Sequence, residues 1–318
     1  MLKRSSIRRI TVTSVALLIL GLVYFFPTTE NTEDDKFIQD LIFTNNIRRT
    51  TIYLIDHNDY VAKSNIIITG EETEKIIEEI IEALTVNGRK QNYIPNGFKP
   101  IIPEDTKLLE HSLDENGLLK INFSKDLLEI KPELEERMIE AIVFSLTDLK
   151  DVKKIIIFVE GEQLTRLPHS KKIIPSTLDR SFGINKRYDL DRPRNSTKTT
   201  VYFISQFNGN KYYVPVTFVN NNTASKVEII INELKTSPIR QTNLMSYLAT
   251  NAELLTYEIK EDRIYMSFNK FLLDSFEDKK ILEEVKYTIF LSLRANLNIN
   301  EVIFNVEDEK VTAFSLDF

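Results

Sequence analysis

The chain has 318 residues, 42% apolar and 28% charged, with a formal net charge of −6. Zero Cys excludes a disulfide scaffold, thiol catalysis and Cys-ligated metal, and eight scattered Gly exclude the closely spaced glycines of phosphate-cradling and nucleophile-elbow loops. A mildly acidic balance argues against nucleic-acid partners, whose binding needs Lys and Arg on phosphates.

The N-terminus carries Lys3, Arg4, Arg8 and Arg9, then an uncharged apolar run over 10–26. At about 1.5 Å per residue this run spans roughly 25 Å as a helix, just short of a hydrocarbon core. The basic flank predicts a single-pass membrane protein with a cytoplasmic N-terminus and the bulk of the chain outside. Residues 1–27 read as cytoplasmic tip and transmembrane anchor, built on Ile10, Leu17, Leu20 and Phe26. A cleavable signal peptide is the competing reading, but bulky Tyr24-Phe25-Phe26-Pro27 stands where a cut site needs small residues. Residues 28–47 read as a polar stalk.

Beyond the stalk the chain repeats itself. Thr50-Thr51-Ile52-Tyr53-Leu54-Ile55 matches Thr199-Thr200-Val201-Tyr202-Phe203-Ile204. Further blocks follow in the same order. Glu78, Ile80, Ile81 and Leu84 match Glu228, Ile230, Ile231 and Leu234, and Leu108-Leu109 matches Leu254-Leu255. Phe123 and Lys125 match Phe268 and Lys270, Ser145-Leu146 matches Ser292-Leu293, and Val159-Glu160 matches Val306-Glu307. The period is domain-sized, so this is a tandem pair and not a solenoid. The predicted domains are 48–168 and 198–318, joined by a linker over 169–197.

Each copy predicts the order β-β-α-β-β-α-β. The first copy opens with a β-branched and aromatic strand over 51–55 and a second strand from Tyr60. Ile76, Ile77, Ile80, Ile81 and Leu84 then follow the helical period. Asp114-Glu115-Asn116-Gly117 joins a hairpin over 107–113 and 118–123. A second helix aligns Leu134, Met138, Ile142, Leu146 and Leu149, and strand 154–159 follows with a return over 163–167. The second copy predicts strands at 199–204, 211–216, 253–259, 263–268, 301–306 and 310–316. Its helical stripes are Val227, Ile230, Ile231, Leu234 and then Leu282, Val285, Ile289, Leu293. The expected domain is α+β, a small mixed sheet with two helices on one face and the other face open to a partner. Ile173, Ile174, Leu178, Phe182 and Ile184 are the residues able to seat the linker on a domain.

No set of residues predicts catalysis, a cofactor or a metal. Glu78-Glu79, Glu135-Glu136 and Glu283-Glu284 read as solvated helix faces. Glu160 and Glu162 recur as Glu307 and Glu309, a pattern that fits hairpin-turn geometry. His57, His111 and His169 have no counterparts in the second copy. Tyr202, Phe207, Tyr212 and Tyr213 are the candidate partner-interface residues, since aromatics on a rigid sheet make interface anchors. Core and cross-strand support is their ordinary role.

Four segments carry a family resemblance. They are TTVYFI with KYYVPVT (199–204 and 211–217), IIPEDTKLLEHSL (101–113), INFSKDLL (121–128) and LDRSFGIN (178–185). Together they resemble the GerM family of sporulation and spore germination proteins, which carry two tandem GerMN domains. The resemblance covers about residues 48–318. It implies a non-enzymatic envelope protein whose domains are similar to the ring-building motifs of secretion systems. It also implies action between mother cell and forespore, assembling or stabilising a transenvelope complex. The partners it implies are envelope proteins, including mother-cell–forespore channel components, with a second copy of the chain and peptidoglycan as further candidates. GerM proteins are often lipoproteins; this chain has no Cys to carry a lipid, which places attachment on 10–26. A peptidoglycan- or wall-binding surface module without a sporulation role is the alternative. A wall hydrolase using paired Glu is a third, weaker reading.

Overall fold

The computed structural model describes residues 48–191, 196–236, 242–275, 277–297, 299–307 and 309–315. The expected anchor, with Ile10, Leu17, Leu20 and Phe26, and the stalk lie outside them. Among the described residues no helix is long and apolar enough to cross a membrane.

The two copies share one element order, apart from a short extra strand at Phe98–Lys99 in copy one. Copy one runs β1 (Arg48–Asp56), β2 (Val61–Ile68), α1 (Thr73–Leu84), β3 (Phe98–Lys99), β4 (Leu108–Leu113), β5 (Leu118–Phe123), α2 (Glu135–Leu146), β6 (Lys154–Val159) and β7 (Glu162–Gln163). The linker contributes β8 (Arg187–Asp189). Copy two runs β9 (Thr197–Phe207), β10 (Asn210–Asn220), α3 (Lys226–Thr236), β11 (Leu254–Lys260), β12 (Arg263–Phe268), α4 (Glu283–Asn296), β13 (Glu301–Val306) and β14 (Glu309–Phe314).

The expectation of one mixed sheet per copy is corrected. Each copy divides its strands between two sheets. One is mixed and four-stranded: β4-β5-β6-β7 and β11-β12-β13-β14, with the central pair parallel and the outer pairs antiparallel. The other is built on the opening hairpin: β2-β1-β3 in copy one and β8-β10-β9 in copy two. Period-two alternation marks a strand with a buried face but does not say which sheet it joins. Here the opening hairpins turn towards each other, and β2 lies against β10.

The repeated sequence blocks have structural reasons. The Ser145 hydroxyl on α2 accepts a hydrogen bond from the backbone N–H of Tyr53 at 2.8 Å. The Ser292 hydroxyl on α4 does the same for Tyr202, also at 2.8 Å. Both serines are fully buried, where an unpaired strand amide would cost about 1–3 kcal/mol. The recurring Glu160 and Glu307 have φ of +51° and +49° at the turns leaving β6 and β13. Their recurrence is therefore turn geometry. The turn between β9 and β10 places Asn208 and Gly209 at φ of +48° and +84°, the left-handed pair that matches strand twist in a two-residue hairpin.

Each copy has its own core, with Leu54, Ile80, Phe123 and Ile142 in the first and Phe203, Ile230, Phe268 and Ile289 in the second. The cores meet. Ala62 of β2 is buried within the copy-two core, and Phe98 packs against both. At the junction the hydroxyls of Tyr53 and Tyr202 lie 3.0 Å apart. These two tyrosines are repeat mates. β2 likewise lies against its own mate β10, and the two mate-to-mate contacts together fit an approximate two-fold axis at the junction of the hairpins.

Candidate functional site

The junction of the two hairpins has two sides. One is filled by the linker. Ile174, Leu178, Phe182 and Ile184 are buried, while Ile173 stays 68% exposed. Leu178 exchanges both backbone hydrogen bonds with Ile155 at 2.8 Å, extending the β6 neighbourhood. The Arg180 guanidinium donates to the Asp148 carboxylate at 2.5 Å, to Thr147 Oγ1 and to the Phe144 carbonyl. A cation there complements the negative C-terminal end of α2. Burial alone would raise the Asp148 pKa, but Arg180 and Lys63 hold it below the ordinary range.

Asn185 ties the copies together. Its side-chain amide donates to the carbonyls of Val61 in β2 and Pro215 in β10, both at 2.8 Å. Its side-chain oxygen accepts from the Val61 N–H at 2.9 Å. Its φ is +47°, a conformation that Asn tolerates better than other side chains. The next residue, Lys186, donates to Glu136 at 2.8 Å and to Glu140 at 2.7 Å. Burial raises the Glu140 pKa even with this lysine beside it.

The other side of the junction is an open groove of about 880 Å³. Arg49, Lys63, Asn65 and Phe98 line it from copy one, and Phe207, Tyr212, Tyr213 and Tyr287 from copy two. Its aromatic residues make two clusters. Phe98 meets Tyr212 edge-on with ring centroids 4.8 Å apart, and His57 lies 4.9 Å from Phe207. Tyr213 stacks on Tyr287 at 5.7 Å. The Tyr212 hydroxyl donates to Asp56 at 2.8 Å, and the other oxygen of that carboxylate accepts from the amides of Asn58 and Tyr60. Burial first, with the Asp56 carboxylate adding to it, holds the Tyr212 phenol well above its ordinary pKa. It is a permanent donor at neutral pH. Lys211 pairs with Glu284 at 2.6 Å on the rim.

The sequence-predicted aromatics therefore divide. Phe207, Tyr212 and Tyr213 converge on one groove. Tyr202 is only 2% exposed and joins copy to copy, so it offers no outer surface. The three histidines stay apart. His57 lies against Phe207, His111 lies 3.6 Å from Glu78, and the backbone of His169 donates to Glu135 at 2.8 Å. Some glutamates read as solvated are instead buried structural acceptors. Glu79 receives Thr69, Gly70 and Lys90, and Glu135 receives His169 and Ser170. Among the described residues no His, Asp or Glu group is placed to hold a metal ion.

Two features escaped sequence reasoning. The roles of Asn185 and Arg180 depend on partners distant in the chain, so the LDRSFGIN segment that holds both gave a family resemblance and no role for either. The second is an apolar stripe on edge strand β11, where Leu255, Tyr257 and Ile259 are 53%, 37% and 44% exposed. Their alternation along one strand face was the available signal.

Comparison with known proteins agrees with this geometry. The Germane family, described as "Sporulation and spore germination", matches residues 43–165 and 200–312. The spore germination protein GerM of Bacillus subtilis (strain 168) is 26% identical over 260 residues, which is 80% of this chain and 70% of that protein. The solved tandem GerMN domains of the sporulation protein GerM from Bacillus subtilis superimpose with a TM-score of 0.77 at 25% identity. That match covers 83% of this chain and 92% of the other.

Proposed function

Because this chain belongs to the Germane family of sporulation and spore germination proteins, we propose that it is a non-enzymatic scaffold of the sporulating cell envelope. In this reading residues 10–26 anchor it in the membrane. The two GerMN-like domains stand outside the cytoplasm and help assemble or stabilise a transenvelope complex between mother cell and forespore. The observation that carries the reading is the tandem match. Both domains, and the way they are joined, superimpose on the solved GerM pair across most of the chain.

The chemistry of the side chains supports a non-enzymatic role. The duplicated residues are core and turn residues, such as Ser145 and Ser292 on their strand amides. The most buried glutamates, Glu79, Glu135 and Glu140, are occupied by backbone amides and lysines that hold loops in place. Exposed apolar surface remains for partners on β11 and along the open groove. Peptidoglycan is the rival partner.

Deleting the gene in its native host and scoring heat-resistant spores tests the role. Spore yield is expected to fall and to recover with the wild-type gene. Cross-linking from membranes with mass spectrometry then identifies the partner, and envelope proteins are the expected result. Normal sporulation, or retention on purified peptidoglycan with no protein partner, would overturn the reading.

A further inference from the structure

The approximate two-fold axis relates the two sides of the junction, and one side has an occupant. Strand registers establish the correspondence. Ile55 faces Val61 in the first hairpin and its mate Ile204 faces Tyr213 in the second, so Val61 and Tyr213 are mates. Continuing along the strands, Lys63 is the mate of Pro215, and Asn65 of Thr217. Since Ser145 and Ser292 are mates, Tyr287 on α4 corresponds to Glu140 on α2. The linker segment from Ile184 to Lys186 rests on Val61, Pro215, Thr217 and Glu140. The mates of these four residues are Tyr213, Lys63, Asn65 and Tyr287. All four line the open groove.

The backbone repeats the argument. β10 has β8 paired in parallel along its outer edge, and the Thr217 N–H donates to the Ile184 carbonyl at 2.9 Å. In the first hairpin β2 is itself the edge strand, and among the described residues no strand stands where the mate of β8 would be. An unpaired edge beside a groove is the geometry of strand addition by an extended peptide.

The charges differ in a way that selects the occupant. On the linker side Glu136 and Glu140 receive Lys186. On the open side a tyrosine replaces Glu140, Lys63 replaces Pro215 and stands beside the Asp148 carboxylate that also lines the groove, and exposed Arg49 is the cation at its mouth. We propose that this groove binds an extended, acidic peptide segment of a protein partner, which adds as a parallel strand to β2 and lays its carboxylates against Arg49. The proposal rests on the scaffold reading only for the setting in which the partner is met. Binding by purified protein is measured separately from any sporulation phenotype, so either can fail without the other.

The linker supplies the probe. A fluorescent peptide of residues 178–189 carrying Lys186→Glu is titrated with the full chain in detergent micelles, beside the unaltered peptide. The acidic peptide is expected to bind roughly tenfold more tightly than the unaltered one. Arg49→Glu is expected to remove that preference. Asn65→Pro is expected to abolish binding, because it deletes the amide equivalent to that of Thr217. Both positions are exposed, and circular dichroism checks that each variant is folded. No saturable binding of either peptide, equal binding of both, or binding unchanged by both variants would overturn the proposal. So would a dimer of the chain dissociated by Arg49→Glu, since the groove would then be occupied by a second copy.

Discussion

Replacing Asn185 by Ala isolates the strength of the joint between the two copies. The variant loses three hydrogen bonds of 2.8–2.9 Å, two to β2 and one to β10. At about 1 kcal/mol each these amount to about 3 kcal/mol. Ala at φ of +47° adds about 1 kcal/mol of backbone strain. The expected loss is about 4 kcal/mol, a large share of the stability of a typical domain. Asn208→Ala is the control. Asn208 has φ of +48° in the exposed turn between β9 and β10, so it carries the strain alone. Urea unfolding of both variants, followed by circular dichroism, measures the difference, expected near 3 kcal/mol. Because Ala62 sits inside the copy-two core, the wild type should unfold in one transition, and Asn185→Ala should broaden or split it. Equal midpoints for the two variants would show that Asn185 bridges nothing of consequence.

Three further outcomes follow from the same geometry. Tyr53→Phe and Tyr202→Phe should each cost about 1 kcal/mol, and the double variant less than their sum, because removing both hydroxyls leaves neither unpaired; a double-mutant cycle measures the coupling. Gly97→Ala should destabilise by more than about 1 kcal/mol in thermal melts, since Gly97 has φ of +89° and an added Cβ would stand 2.5 Å from the Phe207 ring. Burial works against the charge of Glu79, but Thr69 and Lys90 outweigh it and depress its pKa. A depressed folded-state pKa gives stability that is present above the ordinary carboxylate value of about 4.3 and is lost as pH falls through the lower folded value. Glu79→Gln should flatten that acid limb in denaturation series below about pH 5, and an unchanged limb would refute the assignment.

Much of the fold was legible because the chain states it twice. Strands 118–123, 154–159, 263–268 and 301–306 fall where β-branched alternation places them, with bounds unchanged in the structure. Ser145 and Ser292 were visible as a repeated pair, although their work on strand amides was not. Sheet membership was not legible, because β1 and β9 carry the same alternation whether they join a four-stranded sheet or stand in a hairpin. The candidate site was legible in part. Aromatic density between Tyr202 and Tyr213 marked the right hairpin, but alternation alone could not place Tyr202 on the axis and Tyr212 and Tyr213 in a groove. The bridging role of Asn185 was hidden for another reason, although the residue lies in a segment that carries the family resemblance. Its partner Val61 lies 124 residues away, and a single polar residue in a linker carries no periodicity.

The linker also gives the molecule a direction. Two copies related by an unbroken two-fold would present the same face at either end, so whatever binds one end would bind the other alike. Here the segment from Asp179 to Asp189 belongs to one side only, so the body has a head and a tail. Polarity of that kind is the geometric precondition for joining unlike surfaces in series, which closes into rings or runs on as filaments. A gene duplication by itself supplies symmetry. The few residues between the duplicates remove it, and they do so while holding the halves together.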